Sequence, residues 1–178
     1  MEKVITSKVY CVGDNVTAFD IMPARFKRSD RLDSNSLAMA AFADLDPNFA
    51  TKALEGVYKI VVAGKNFGGG GKTIEGPVFA LKGAGIQIVV ADSFARIFLR
   101  NAINNALPIV VCPGITAKVK TNDELKIDLN LSRIVNLTTG EEYSSQPLSE
   151  TALKIIAEGG LVAYTKKKLA EMTSEISN

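Results

Sequence analysis

The chain contains no histidine. That absence removes histidine-based triads, histidine general bases and histidine-ligated metal sites. Cysteine is scarce, with only Cys11 and Cys112. Iron–sulfur clusters and all-cysteine zinc sites each take four thiolates, so this chain cannot ligate either alone. One disulfide is possible in principle. Met1-Glu2-Lys3-Val4 lacks the apolar stretch of a secretory signal, however, so both thiols are expected reduced and the chain cytosolic. No run of about eighteen apolar residues occurs, so no membrane span is expected. Nor is there an excess of one charge: 21 basic against 19 acidic side chains leave +2, which implies no field for nucleic acid. What is present is ordinary globular material. At 178 residues and 47% hydrophobic, the chain is long enough for a single well-filled domain over 1–178.

The order of segments suggests an architecture. Val4 to Val12 is rich in β-branched residues and predicts an opening strand, followed by turn residues Gly13-Asp14-Asn15. Leu37, Ala38, Ala41 and Phe42 recur at helical spacing, in a piece that Pro47 closes. Tyr58 to Ala63, Ile86 to Val90 and Ile109 to Val111 are short apolar runs that predict strands buried on both faces. Between them, Pro77 sits where a helix begins and Gly83-Ala84-Gly85 ends it. Asp92 or Ser93 is positioned to cap a further helix, with Phe94, Ile97 and Phe98 on its core face. This alternation predicts a parallel α/β section. Ala117 to Leu137 then alternates polar and apolar residues, with a hairpin turn at Thr139-Gly140-Glu141, which predicts an antiparallel section. Ser149 caps a last helix with Leu153, Ile156 and Ala157 inward, stopped at Gly159-Gly160 before a lysine-rich end.

Four consecutive glycines, Gly68 to Gly71, lie between the second strand and the Pro77 helix. Such a run costs backbone entropy and is accepted where the backbone turns left-handed or approaches something closely. One reading is an anion cradle built from loop amides, with Lys65 and Lys72 adding positive charge; the other is a merely tight loop. The segment also approaches the P-loop pattern at Gly71-Lys72-Thr73, with Asp92 ending an apolar strand as a magnesium-binding acid would. Against that stand Asn66 in place of the first glycine, Gly76-Pro77 where the helix should run on, and the short interval from Lys72 to Asp92.

The run G-K-N-F-G-G-G-G (Gly64 to Gly71), L-K-G-A-G-I (Leu81 to Ile86) and A-D-S-F-A-R-I-F-L-R-N-A-I-N-N-A-L-P (Ala91 to Pro108) resembles the small subunit of isopropylmalate isomerase, the swivelling domain of the aconitase superfamily. Ile21-Met22-Pro23-Ala24-Arg25-Phe26 and Asn136 to Glu141 agree with it, so the resemblance spans nearly the whole chain. It implies a β/β/α swivelling fold in the α/β class. It implies a large partner subunit that carries a [4Fe-4S] cluster, and a hydro-lyase or isomerase acting on a hydroxy di- or tricarboxylic acid, as in leucine biosynthesis. An isolated subunit of this kind has an uncovered partner surface through which copies could self-associate.

The departures from that family fall in the site segments. Relatives usually follow the glycine loop with Ser-Ser-Arg-Glu-His, whose first serine acts as base and whose arginine holds a substrate carboxylate. Here the run is Gly71-Lys72-Thr73-Ile74-Glu75, and the family's Asp-Thr-Asp is Thr17-Ala18-Phe19, followed by Asp20. The candidate catalytic residues are therefore Lys72 and Thr73. The candidate substrate-binding residues are Arg25, Arg28, Asn66, Gly68, Gly70 and Gly71. Arg28 stands where the resemblance places arginine in relatives acting on tricarboxylates and an apolar residue in those acting on isopropylmalate. A subunit that has lost its chemistry and only binds is the alternative.

Overall fold

A computed structural model describes residues 4–28, 34–70 and 75–176. Strands β1 (Val4–Cys11), β2 (Tyr58–Ala63), β3 (Ile88–Ala91) and β4 (Ile109–Val111) run parallel, each beside the next in chain order. The free edge of β1 pairs antiparallel with β5 (Glu124–Asp128), which continues to β6 (Arg133–Asn136) and β7 (Glu142–Ser144). The parallel and antiparallel sections thus form a single seven-stranded sheet, ordered β4-β3-β2-β1-β5-β6-β7. The sheet curls until its ends meet: the Gln146 N–H donates to the Val111 carbonyl across 2.8 Å in an antiparallel bridge.

Two cores follow from the curl. Side chains alternate along a strand, so β2 sends Ile60 and Val62 to one face and Val61 and Ala63 to the other. Ile60 and Val62 join Ile5, Val9, Ile88, Val90, Leu125 and Ile134 inside the curl. Val61 and Ala63 meet Val89 and Ala91 under the helices. Both faces being covered is why β2 and β3 are almost entirely apolar. Each such aliphatic side chain contributes about 1.5–3 kcal/mol on burial.

The covering helices are α3 (Phe49–Leu54), α4 (Gly76–Gly83) and α5 (Arg96–Asn104), with the short α1 (Ala18–Ile21) and α2 (Ser34–Leu37) beside them. Pro77 lies in the first turn of α4 as expected. Several local expectations are corrected. Pro47 does not end the helical region, since α3 follows it at once. Phe42 leaves the helical path with φ of 52°, which seats its ring against Tyr10, Phe49 and Phe67. Phe94 precedes α5 and stacks on Phe98, while Ile97 is exposed rather than core. Ser149 does cap α6 (Glu150–Ala157), but the buried residues are Ala152, Ile155 and Ile156, with Ala157 outside. A sixteen-residue helix, α7 (Leu161–Ile176), occupies the lysine-rich end.

Both cysteines are free. Cys112 is buried, and Cys11 directs its thiol at the Val119 carbonyl. Burial pushes the Cys11 thiol up to about 11 and raises that of Cys112, so each packs as a small hydrophobe. Among the described residues no helix is long and apolar enough to cross a membrane.

Candidate active site

The glycine loop leaves the C-terminal end of β2 and is clamped from both sides. On the β1 side, Asn15 N–H donates to the Lys65 carbonyl (2.7 Å), Gly68 N–H to Val16 (2.8 Å) and Ala18 N–H to Gly69 (2.8 Å). The Asp14 carboxylate accepts from Lys65 N–H at 2.8 Å. On the β3 side, Asn66 N–H donates to Ser93 Oγ (2.9 Å) and Phe67 N–H to the Ser93 carbonyl (3.0 Å). Ala95 N–H returns a bond to the Phe67 carbonyl at 2.9 Å. The loop therefore extends the sheet beyond the carboxyl ends of three parallel strands, where open α/β sheets bind their ligands.

Asn15 and Asn66 both adopt left-handed backbone with φ of 56°. Non-glycine residues in that region carry strain that the surroundings must hold. Their exposed side chains meet, Asn66 Nδ2 donating to Asn15 Oδ1 at 3.3 Å. Beneath them, the buried Phe67 ring packs edge-on against Phe98 at 5.0 Å and Phe94 at 6.1 Å. Gly68 (φ 79°) sits on that ring stack, and a Cβ there would lie 2.4 Å from the Phe98 side chain. Its amide is used by Val16, so Gly68 serves the loop's own framework. Gly70 (φ 69°) is exposed beside Thr17. Gly71, Lys72 and Thr73 lie outside the described residues.

The far side of the loop is anchored as firmly. The Glu75 carboxylate accepts from the Asn105 side-chain amide at 3.0 Å, and the Lys82 ammonium donates to the Asn105 carbonyl. Glu75, just before α4, and Lys82 within it thus grip Asn105 at the end of α5, and burial lowers the Lys82 pKa. Gly76 leaves room for Met22, whose sulfur would stand 2.7 Å from a Cβ there. That contact brings the Ile21–Arg25 segment against the loop's exit.

The remaining candidates separate. Arg25 is exposed, ion-paired to Asp44 at 2.6 Å and laid over the Phe26 ring at 4.8 Å. The hydrogen bond to Asp44 raises its pKa and lowers that of Asp44. Arg28 ends the 3-10 turn Ala24–Arg28, and its side chain lies outside the described residues. Thr17 and Asp20 form a capping box on α1, the Thr17 hydroxyl and N–H each lying 2.7 Å from Asp20 Oδ2. Neither Asp92 nor Ser93 caps α5, whose N-cap is Ala95. Asp92 instead accepts from Thr116 N–H at 3.4 Å, and Ser93 fastens Asn66. Sequence reading did not single out the contributions of Asn15 and Ser93 to the loop. Their signal was only turn chemistry, because what they bond is some fifty and twenty-seven residues away.

Among the described residues no group of three or more cysteine, aspartate or glutamate side chains is placed to hold a metal ion. The donor set does not fit an iron–sulfur cluster either: of two thiols, one is buried and the other turned to a carbonyl.

A family model for the aconitase C-terminal domain matches residues 31–113. The isopropylmalate/citramalate isomerase small subunit of Methanocaldococcus jannaschii is 44% identical over 171 residues, covering 96% of this chain and 99% of that one. The chain belongs to the isopropylmalate dehydratase small-subunit family. The 3-isopropylmalate dehydratase small subunit of Moorella thermoacetica is 43% identical, with 93% and 97% covered. A methanogen homoaconitase small subunit from Methanothermobacter thermautotrophicus is 42% identical over 95% of each chain. The solved 3-isopropylmalate dehydratase of M. jannaschii superimposes with a TM-score of 0.87 at 34% identity, over 97% of this chain and 99% of that one. The curled sheet with its helical cover is therefore the swivelling fold of this family, in the α/β class.

Proposed function

We propose that this chain, as one swivelling domain over residues 1–178, is the small subunit of a cytoplasmic [4Fe-4S]-dependent hydro-lyase or isomerase. The cluster belongs to a separate large subunit, and the substrate is a hydroxy di- or tricarboxylic acid. One observation carries the reading: in a member of this family, the loop ending at Gly70 is clamped between the ends of β1 and β3 and presents Asn66 outward.

Dehydrating a hydroxy acid removes a proton beside a carboxylate and expels a hydroxyl from the adjacent carbon. This requires a base, a carboxylate anchor and a fixed orientation. Asn66 and the amides of Gly70 and Gly71 orient the substrate's polar end, and Gly68 fixes the loop's path. Lys72, one residue past Gly71 at the base position, takes over the task of the missing serine. An amine accepts a proton only when uncharged, so the role requires that docking against the large subunit withdraw Lys72 from water. Thr73 supplies a hydroxyl where relatives hold a carboxylate with arginine. Arg28 takes the variable end of the substrate, and Arg25, ion-paired to Asp44, serves site structure or contacts the substrate.

A second reading rests on Gly71, which puts no side chain at the base position. In it, the chain keeps the partner surface and substrate loop but performs no proton transfer. The substrate class is read from Arg28, because a guanidinium binds a carboxylate through two parallel hydrogen bonds. The reconstituted pair is expected to prefer acids with a third carboxylate over apolar-substituted malates. Arg28→Leu is expected to cut that preference by about 1.5–3 kcal/mol, roughly ten- to a hundredfold in relative kcat/KM. An unchanged ratio would remove Arg28 from the specificity site.

A further inference from the structure

The glycine loop occupies one end of the parallel strands, and a cavity opens at the other. The amino ends of β1 to β4, with the turns that enter β3 and β4, border a groove of about 550 Å³. That volume is in the range of small-molecule sites. The groove and the loop stand at opposite ends of β2, whose six residues span roughly 16 Å. Ile5, Ile86, Leu107 and Pro108 form the apolar wall of the groove, and all four are buried.

The charge of the groove is one-sided. Lys59 and Lys82 line it, and among the described residues no acid does. Lys82 is half-buried, and its ammonium donates to the Asn105 carbonyl rather than to a carboxylate. Glu75, the acid in that network, is taken by the Asn105 side-chain amide. Burial without a counter-charge is what lowers the Lys82 pKa. Lys59 is also half-buried, and its ammonium meets no hydrogen-bond or ion-pair partner among the described residues. The lining backbone offers a ligand little. The amides of Gly85, Ile86, Gln87, Ala106 and Leu107 all donate within the chain, and Pro108 has none. Negative charge is therefore left to an occupant, to be met by the two ammoniums and the exposed Gln87 side chain. A bare inorganic ion would satisfy the lysines but leave the apolar wall wet. We infer that this groove binds a small carboxylate with an apolar body, its charge held by Lys59 and Lys82 and its body laid against Ile5, Ile86, Leu107 and Pro108.

Cyclohexanecarboxylate, titrated calorimetrically into the full chain, tests this. Saturable binding is expected with a Kd of about 1 mM or below. The neutral cyclohexanecarboxamide lacks the charge and acetate lacks the ring, so each is expected to bind at least about tenfold more weakly. Lys59→Met removes one ammonium, and Gln87→Glu brings a like charge to the ligand. Each is expected to weaken binding about tenfold with Tm unchanged, because neither side chain holds a described partner. Both positions lie at the far end of β2 from the glycine loop, so the result does not depend on the activity proposed above. A probe held at that loop would bind both variants as it binds the wild type, and would overturn the inference. No saturable binding overturns it as well, as does equal affinity for the amide or for acetate.

Discussion

Gly68→Ala is expected to lower the stability of the chain by about 2–5 kcal/mol, roughly 5–15 °C in Tm for a domain of this size. Two costs add. Gly68 holds φ of 79°, where a side chain is strained, and the new Cβ would lie 2.4 Å from the Cβ and Cγ of Phe98. Phe98 cannot step aside, because it is buried between Phe67 at 5.0 Å and Phe94 at 6.1 Å. Gly70→Ala is the internal control. It carries similar backbone strain, but among the described residues its Cβ would meet only the Thr17 side chain, at 3.4 Å and beyond, so about 1 kcal/mol is expected. Thermal and urea unfolding of both variants measure the difference. Equal melting temperatures would mean that the ring stack yields, and that the loop is less rigidly seated than its hydrogen bonds indicate.

Lys72→Ala is expected to reduce turnover of the reconstituted pair by about 10²–10⁴-fold while leaving subunit assembly intact, which is the range for removing a general base. The variant Lys72→Arg separates the two tasks a lysine can perform. Arginine keeps the positive charge but does not give up its proton. If Lys72 is the base, Lys72→Arg is as inactive as alanine; if it anchors a carboxylate, Lys72→Arg recovers most of the rate and lowers KM relative to alanine. Normal turnover in Lys72→Ala would take this residue out of the site.

The parallel strands were legible because their environment leaves a local mark. Strands covered on both faces must be apolar at every position, and Ile60 to Ala63 and Ile88 to Ala91 meet that demand. Pro77 and Ser149 marked helix starts for equally local reasons, a missing donor and a hydroxyl acceptor. Ser93 looked the same and was misread: its hydroxyl serves the Asn66 amide twenty-seven residues back, and nothing local encodes that choice. Ile97 and Ala157 fit an apolar stripe in sequence yet lie outside the core, since a helix's rotation is set by what it packs on. Lys166 to Lys168 read as a solvated helix end, but the full length of α7 did not show, because its apolar residues make no buried stripe in this chain. Within the site, the loop and its left-handed turning could be read from the glycines, whereas the left-handed Asn66 at its entrance could not. The clamp from Val16, Ala18 and Ala95 depends on long-range pairing and could not.

The central claim is that this chain completes a dehydratase. Its most direct test is to assemble the full chain with the cluster-bearing large subunit proposed for it under anaerobic conditions. Absorbance from the unsaturated acid would then be followed across a panel of malate and citrate analogues, with and without this chain. The account predicts product only when both subunits are present, on at least one hydroxy acid. A stable, cluster-loaded complex that forms none from any member of the panel would contradict it and leave the non-catalytic binding subunit in its place.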